Sequence, residues 1–458
     1  MSKRTDTNHI WYLDLSPQSG AKDKIFKAFK HNNISLQQWN RSTETEFGFI
    51  LIDGNNSYEH LISILNIQIK NQGNRVVVIN TSNERINSDA VFKILNYGAE
   101  YFFESSSIND DFECIVEKFQ RWKSIEIILN APTITRSIIG EGNTLKKLLR
   151  GIIEVAVYSD MPVLIQGERG TGKELIAKLI HDLDRKRSNN TLVLIDCSTI
   201  RPELSGSEFF GHEKGSYTGA DNTRDGAFAL ANNGTLFLDE VGETPLRMQA
   251  ELLRIIQEGV YKKLGSNIWK QTNFRLVCAT NRDLCIESEN GTFRKDLYDR
   301  ISTWKCYMPS LSERRADIPL LANFFFRQRF PESIPVIDDN VIDYLKEREY
   351  PGNIRELKNL ITRICLKYTG KGAITLGDIP EQDRTTYFRS KVFWYENDTF
   401  IDKITEALKD GYDAKSITDT VKSVITKIAL ATTTNNREVS QLLGKSERWI
   451  QLQKAKEK

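Results

Sequence analysis

The segment Gly167-Glu168-Arg169-Gly170-Thr171-Gly172-Lys173 lies between an apolar run, PVLIQ, and a helical run, ELIAKLIH. Strand, glycine-rich loop and helix in that order are what a phosphate-binding loop needs. Glycines let backbone N–H groups approach phosphate oxygens, the helix start adds positive potential, and Lys173 reaches the β and γ oxygens of a triphosphate such as ATP. The hydroxyl residue that usually follows the lysine is replaced by Glu174. That removes one ligand for magnesium and leaves the metal to the phosphates, water and a second acid. Such an acid is offered by GTLFLDE, an apolar run that begins at Gly234 and ends in Asp239 and Glu240. Asp239 is suited to organise Mg²⁺, and Glu240 to polarise the attacking water as general base. Two carboxylates after a buried strand also describe a plain solvated strand end; the phosphate loop upstream favours catalysis.

Charge that develops on a transferring γ-phosphate calls for a cation, and a guanidinium from a neighbouring subunit is the usual supplier. Arg294 and Arg300, in FRKDLYDRIS, stand on a short helix and its exit. The bland alternative is that they are solvated helix-surface arginines. Arg355, in YPGNIRELKN, opens a helix after a Pro-Gly turn, where it can sense the same phosphates. Asn281, in CATNRDL, ends another strand, where a polar side chain can align the water.

The elements that must hold these groups are visible as period. From Thr135 to about Pro309 the apolar runs PVLIQG, TLVLIDC, GTLFLDE and RLVCATN alternate with longer helical stretches, the pattern of an α/β unit with a parallel sheet. This predicts an ATPase α/β subdomain over 135–310 and a helical lid over 311–384. The polar stretch 385–416 reads as a linker, and 417–458 is helical again. Ahead of these, HIWYLDL, FGFILID, RVVVIN and EYFFE alternate with helical stretches, which predicts a doubly wound α/β domain over 1–125. A chain of 458 residues exceeds one hydrophobic core and suits roughly three units. Its 40% apolar and 27% charged residues and formal charge of +2 place any nucleic-acid contact in a local patch. No apolar run is long enough for a bilayer, and MSKRTDTNHIWYLDLS lacks a signal-peptide core, so the expected compartment is the cytoplasm, with no membrane partner. The cysteines Cys114, Cys197, Cys278, Cys285, Cys306 and Cys365 form no CxxC pair, which predicts reduced thiols rather than a zinc site or disulfides.

From Ser137 to about Pro380 the sequence resembles the sigma-54-dependent activators, the bacterial enhancer-binding proteins. GERGTGKE is similar to their Walker A, GTLFLDE to their Walker B, ATN to sensor I, FRKDLYDR to the paired arginine fingers and PGNIREL to sensor II. The resemblance implies a AAA+ ring, from dimer to hexamer, with ATP between subunits and Arg294 and Arg300 acting in trans. It also implies that a loop, GAFTGA in the family and here Gly215-Ser216-Tyr217-Thr218-Gly219-Ala220, grips sigma-54 RNA polymerase. Ser216 and Tyr217 depart from that pattern, while the aromatic ring and threonine remain. A second departure is Asp196, in TLVLIDCS, where the family has an asparagine that restrains the Walker B glutamate. An acid facing Glu240 repels it or shares its proton, which predicts slow or altered coupling.

At the C-terminal end, a helical run, Gly444 and a second run opened by Ser446 have helix-turn-helix spacing, with Lys445, Ser446, Glu447, Arg448 and Gln451 offered to double-stranded DNA at an upstream enhancer site. Two helices of a bundle give the same pattern, but the family carries a Fis-like DNA-binding domain there. The N-terminal domain resembles a response-regulator receiver, with Asp53 at the phosphorylated position. Only Asp14 stands where receivers have an acid pair, and the lysine expected after the fifth strand is replaced near Phe103 and Glu104, which predicts an atypical receiver. Such receivers occur in relatives that control flagella and biofilm polysaccharide, some answering to cyclic di-GMP. Arg136 in TRSIIG and Lys178 in KELIAKL stand at positions similar to the arginines those relatives use for that ligand; a plain linker arginine is the competing reading. The leading expectation is an ATPase activator of sigma-54 polymerase. The alternatives are a nucleotide- or cyclic di-GMP-gated DNA-binding regulator working with a housekeeping sigma factor, and a protease partner or helicase loader.

Overall fold

The computed structural model describes residues 9–16, 21–39, 47–54, 58–65, 75–82, 84–106, 112–201, 203–217, 220–333, 335–384 and 398–432, with Val439 and Leu443. The chain forms two compact units, Met1–Pro335 with Glu349–Cys365, and Val336–Arg348 with Leu366–Lys458.

In the first unit, β1 (His9–Asp14), β2 (Ser35–Gln38), β3 (Phe47–Ile52), β4 (Arg75–Asn80) and β5 (Tyr101–Glu104) form a parallel sheet of order β2-β1-β3-β4-β5. β3 and β4 are buried on both faces and are accordingly apolar, save for Arg75 and Asn80 at the two ends of β4. Alternate side chains feed two cores: Ile10, Phe49 and Val77 meet Phe119 and Trp122 on one face, while Trp11, Ile50 and Val78 meet Ile94 on the other. Strand β2, SLQQ, escapes the sequence reading because it is a mostly exposed polar edge with no apolar signal. The helix Glu113–Leu129 runs past the boundary expected at residue 125. Its end shares a core with the Asn143–Tyr158 helix through Ile125, Leu129, Leu149 and Ile153. Arg121 pairs with Glu154 at 3.0 Å, and the buried Glu126 accepts from Arg150.

Further along the same unit come β6 (Val163–Gln166), β7 (Leu192–Asp196), β8 (Gly211–His212), β9 (Arg224–Asp225), β10 (Thr235–Asp239), β11 (Val260–Tyr261), β12 (Lys270–Gln271), β13 (Arg275–Thr280) and β14 (Trp304–Tyr307). A second parallel sheet has the order β14-β6-β13-β10-β7, and β8 with β9 and β11 with β12 form two small antiparallel pairs. Phe237, Val277 and Leu238 have no exposed surface to speak of, and each such side chain contributes about 1.5–3 kcal/mol by leaving water. Register fixes the chemistry: Asp239 pairs with Asp196, Leu238 with Cys278 and Thr280 with Gln166. The carboxyl ends of β6, β7, β10 and β13 therefore open on one rim, where α/β sheets bind ligands.

In the second unit, Tyr344 donates to the carbonyl of Asp383 at 3.0 Å, and Arg348 pairs with the Asp383 carboxylate at 3.3 Å. The stretch expected to be a linker over 385–416 is helical at Asp398–Lys409 and again from Ala414 in Ala414–Thr432. Ile404 and Leu408 carry that helical period, diluted by neighbouring charges. Ala429, Val439 and Leu443 pack together. Among the described residues no helix is long and apolar enough to cross a membrane. None of the six cysteines forms a disulfide, and burial pushes the Cys197 and Cys306 thiols up to about 12, so these two stay protonated.

Candidate functional site

The glycine-rich loop leaves β6 at Gly167, whose φ of 154° has room for no side chain: a Cβ there would lie 2.8 Å from Met308. Gly170, at φ 77°, presses on the carbonyl of Gly352, which a Cβ would meet at 2.3 Å. Thr171 donates to the carbonyl of Glu168 at 2.8 Å, and the Lys173 ammonium donates to the carbonyls of Gly167 at 2.9 Å and Glu168 at 3.3 Å. Lys173 opens the Lys173–Leu183 helix and is buried, and Glu174 after it is exposed. Burial pushes the lysine below its usual value against the opposing pull of Glu240 and Asp239. A base with a depressed folded pKa costs the fold stability below its unfolded value, a cost that fades as pH rises. Lys173→Met should therefore leave the thermal midpoint of the unliganded chain unchanged or higher, while ATP affinity by calorimetry falls about 100-fold. An equal affinity would show that Lys173 does not hold phosphate.

Asp239 and Glu240 end β10 opposite the loop. Burial raises the Asp239 carboxyl above its usual value, the backbone N–H of Glu240 lowers it, and the neighbouring charge of Glu240 raises it again. Glu240 sits in the left-handed region at φ 49°, an uncommon conformation for a residue with a side chain, of the sort that gathers at functional sites. Its carboxylate accepts from the backbone N–H of Asn281 at 3.1 Å, and lies 3.8 Å from Lys173 and 3.9 Å from Arg169. The contact with Asn281 is thus made by backbone rather than by the side chain expected to align water. Asp196, at the end of β7, turns its side chain to the residues that follow it. Its carboxylate accepts from the N–H and hydroxyl of Ser198, at 2.9 and 2.6 Å, and its charge acts on Cys197 and on Asp239.

The expected arginines differ among themselves. Arg294 caps the Lys295–Ile301 helix from outside and is tied to Asp296 at 2.7 Å. Arg300, in the last turn, is exposed and makes no ion pair with a described residue. Arg355 stands in the first turn of Asn353–Lys367, near enough for its charge to act on Lys173. The residue that sequence reasoning missed is Asn353. It is buried at φ 53°, donates to Glu168 at 2.9 Å and to the Arg169 carbonyl at 3.0 Å, and accepts from the N–H of Leu311 at 2.7 Å. With the N–H of Ile354 bonded to the Gly170 carbonyl at 3.0 Å, this helix start fixes the phosphate loop. The only signal was an asparagine, tolerant of left-handed backbone, after Pro351-Gly352. Asn353→Ala strands those partners and should cost about 2–3 kcal/mol in urea unfolding. A change within about 0.5 kcal/mol, as at a neutral surface site, would exclude this role.

Beside the loop, Thr171, Leu175, Ile138, Met308 and Phe324 line a cavity that also takes in Arg314. The GSYTGA segment rises from the β8–β9 pair. Gly215 N–H bonds the Ala220 carbonyl at 2.9 Å, the Tyr217 ring stands edge-on to His212 at 5.1 Å, and Ser216 packs on Gly265. Thr218 and Gly219 lie outside the described residues, as do the DNA-contact candidates Lys445, Ser446, Glu447, Arg448 and Gln451. Arg136 and Lys178 are exposed, on separate elements. At the rim of the first sheet, Asp53 is exposed, and Asp14 is paired with Lys22 at 2.7 Å. Burial acts to raise the Asp14 carboxyl, but hydrogen bonds from Lys22 and Ser16 outweigh it and hold it below the usual value. The Glu104 carboxylate accepts from the N–H of Ile86 at 3.1 Å.

Comparison with known proteins agrees with this geometry. Residues 138–306 match the family described as the sigma-54 interaction domain, and residues 312–391 match the AAA+ ATPase lid domain. The DNA-binding transcriptional regulator NtrC of Azospirillum brasilense is 42% identical over 234 residues, 51% of this chain and 48% of that protein. The transcriptional regulatory protein ZraR of Escherichia coli is 43% identical over 246 residues, 52% of this chain and 55% of that protein. The chain thus spans about half the length of the curated relatives it matches. NtrX from Brucella abortus, solved in complex with ADP, shares the fold over 97% of this chain and 98% of its own, with a TM-score of 0.52 at 21% identity. The central region of this chain therefore carries a sigma-54 interaction domain, residues 138–306, followed by a AAA+ ATPase lid domain, residues 312–391.

Proposed function

We propose that the chain is an ATP-driven activator of transcription. Residues 135–310 and 311–384 hydrolyse ATP between subunits of a homo-oligomeric ring, and the GSYTGA loop passes the motion to sigma-54 RNA polymerase. Residues 417–458 hold upstream duplex DNA through a helix-turn-helix. The observation that carries this reading is a site with two halves: Lys173, Asp239 and Glu240 meet on one rim, while the exposed Arg300 has no ion-pair partner among the described residues. Among the described residues no group of three or more His, Cys, Asp or Glu could hold a metal alone. The donor set does fit an ion shared with phosphate, because Asp239, pushed up by burial and by Glu240, is relieved by a cation. Asp239 would hold that magnesium, whose chemistry is to neutralise charge on the β and γ oxygens. Lys173 binds the same oxygens, Glu240 takes the proton of the attacking water, and the Asn281 N–H keeps the Glu240 carboxylate aimed. The test is transcription from a supercoiled template with purified polymerase: open complexes with the sigma-54 enzyme support the reading, and activity confined to a housekeeping sigma enzyme overturns it.

The receiver-like domain, residues 1–125, is read as insensitive to phosphorylation. Lys22 already neutralises Asp14, and the sequence has Phe103 and Glu104 near the position where receivers carry the lysine that meets a phosphoryl group. Incubation with acetyl phosphate and magnesium should leave the intact mass unchanged; a stable adduct on Asp53 would refute this.

A further inference from the structure

Arg314 lies in the cavity beside the phosphate loop, on a turn whose backbone leaves helical geometry at φ −133°, ψ 42°. It is 6% exposed, its Nε is buried without a hydrogen-bond partner, and its guanidinium forms no ion pair with a described residue. The nearest countercharge, Asp317, uses one oxygen to accept from the N–H groups of Glu141 and Gly142, at 2.9 and 3.1 Å. A buried guanidinium without acceptors is costly. Burial outweighs the through-space pull of Asp317, whose other oxygen is likewise buried without a partner, so the guanidinium, though near an anion, is left short of a hydrogen-bond acceptor.

The walls around it decide which acceptor. Ile138, Leu175, Met308 and Phe324 are apolar, whereas the phosphate-binding groups lie along Gly167–Lys173. A flat heteroaromatic ring suits such walls, and a guanidinium only donates, so it can face a ring nitrogen but not the exocyclic amine of adenine. We propose that Arg314 is the base-reading residue of the nucleotide site, donating a hydrogen bond to a ring nitrogen of adenine. The inference rests on the ATP-binding reading above.

The test deletes the acceptor from the ligand as well as the donor from the protein. Binding of ADP and of its 1-deaza, 3-deaza and 7-deaza analogues to the full chain is measured by calorimetry, for the parent and for Arg314→Met. Tripolyphosphate, as competitor, reports the phosphate loop alone. One of the three deletions should weaken parent binding about ten-fold or more. Arg314→Met should bind ADP about ten-fold more weakly, be indifferent to that same deletion within about two-fold, and keep its affinity for tripolyphosphate. The proposal is overturned if all three analogues bind the parent like ADP, or if Arg314→Met loses tripolyphosphate as severely as ADP, which would make Arg314 a phosphate ligand. Should the parent bind tripolyphosphate but no ADP, base recognition alone fails; should it bind neither, the nucleotide reading of Lys173 falls too.

Discussion

Arg300→Ala is expected to cut ATP turnover by roughly 10³-fold or more, the scale at which a guanidinium stabilises phosphoryl transfer, with ATP affinity nearly unchanged. Arg294→Ala should be the milder of the two. Arg294 is held by Asp296 in its own helix and must break that pair to reach a phosphate, whereas Arg300 has none to break among the described residues. Mixing decides whether the group acts on a neighbour. A chain with Arg300→Ala keeps an intact phosphate loop, and one with Lys173→Ala keeps an intact finger. If the site is shared, mixing the two inactive proteins restores part of the phosphate release. Failure to complement, with both proteins assembling normally, would mean that Arg300 acts within its own chain or not at all.

Glu240→Gln is expected to lower the hydrolysis rate by about 10²–10⁴-fold, the contribution of a positioned general base, and to leave the nucleotide bound. Glutamine keeps an oxygen for the N–H of Asn281, so the turn at φ 49° should survive. Removing the charge also takes away one of the influences that raise Asp239, so its carboxyl returns toward the ordinary range and holds a cation at least as well. Phosphate release and ADP affinity, measured separately, check both halves. Turnover equal to the parent would exclude Glu240 as the base.

Much of this site was readable before any fold was seen. Lys173, Asp239, Glu240 and Arg355 follow glycines, a strand end and a Pro-Gly turn, and those local signals survive folding because the chain has few ways to satisfy them. What was hidden depends on which side chain reaches which neighbour. Asp196 turning to Ser198, Arg294 seized by Asp296 and Lys22 covering Asp14 are contacts between residues two to eight apart whose rotamers no periodicity reports. Asn353 was hidden differently: its partners Glu168 and Leu311 are 185 and 42 residues away, and only its left-handed turn left a local trace. Edge strand β2 gave no apolar pattern because neither face is fully covered.

The pairing of Glu126 with Arg150 governs how the two helices that carry them can move. Both side chains are nearly withdrawn from solvent, so sliding one helix along the other by a single turn abandons two opposite charges in a medium that solvates them poorly. Parting such ions costs about 3–5 kcal/mol, which leaves partial displacements almost unpopulated. The Glu113–Leu129 helix is therefore indexed against the Asn143–Tyr158 helix like a ratchet, held in one register rather than free to creep along it.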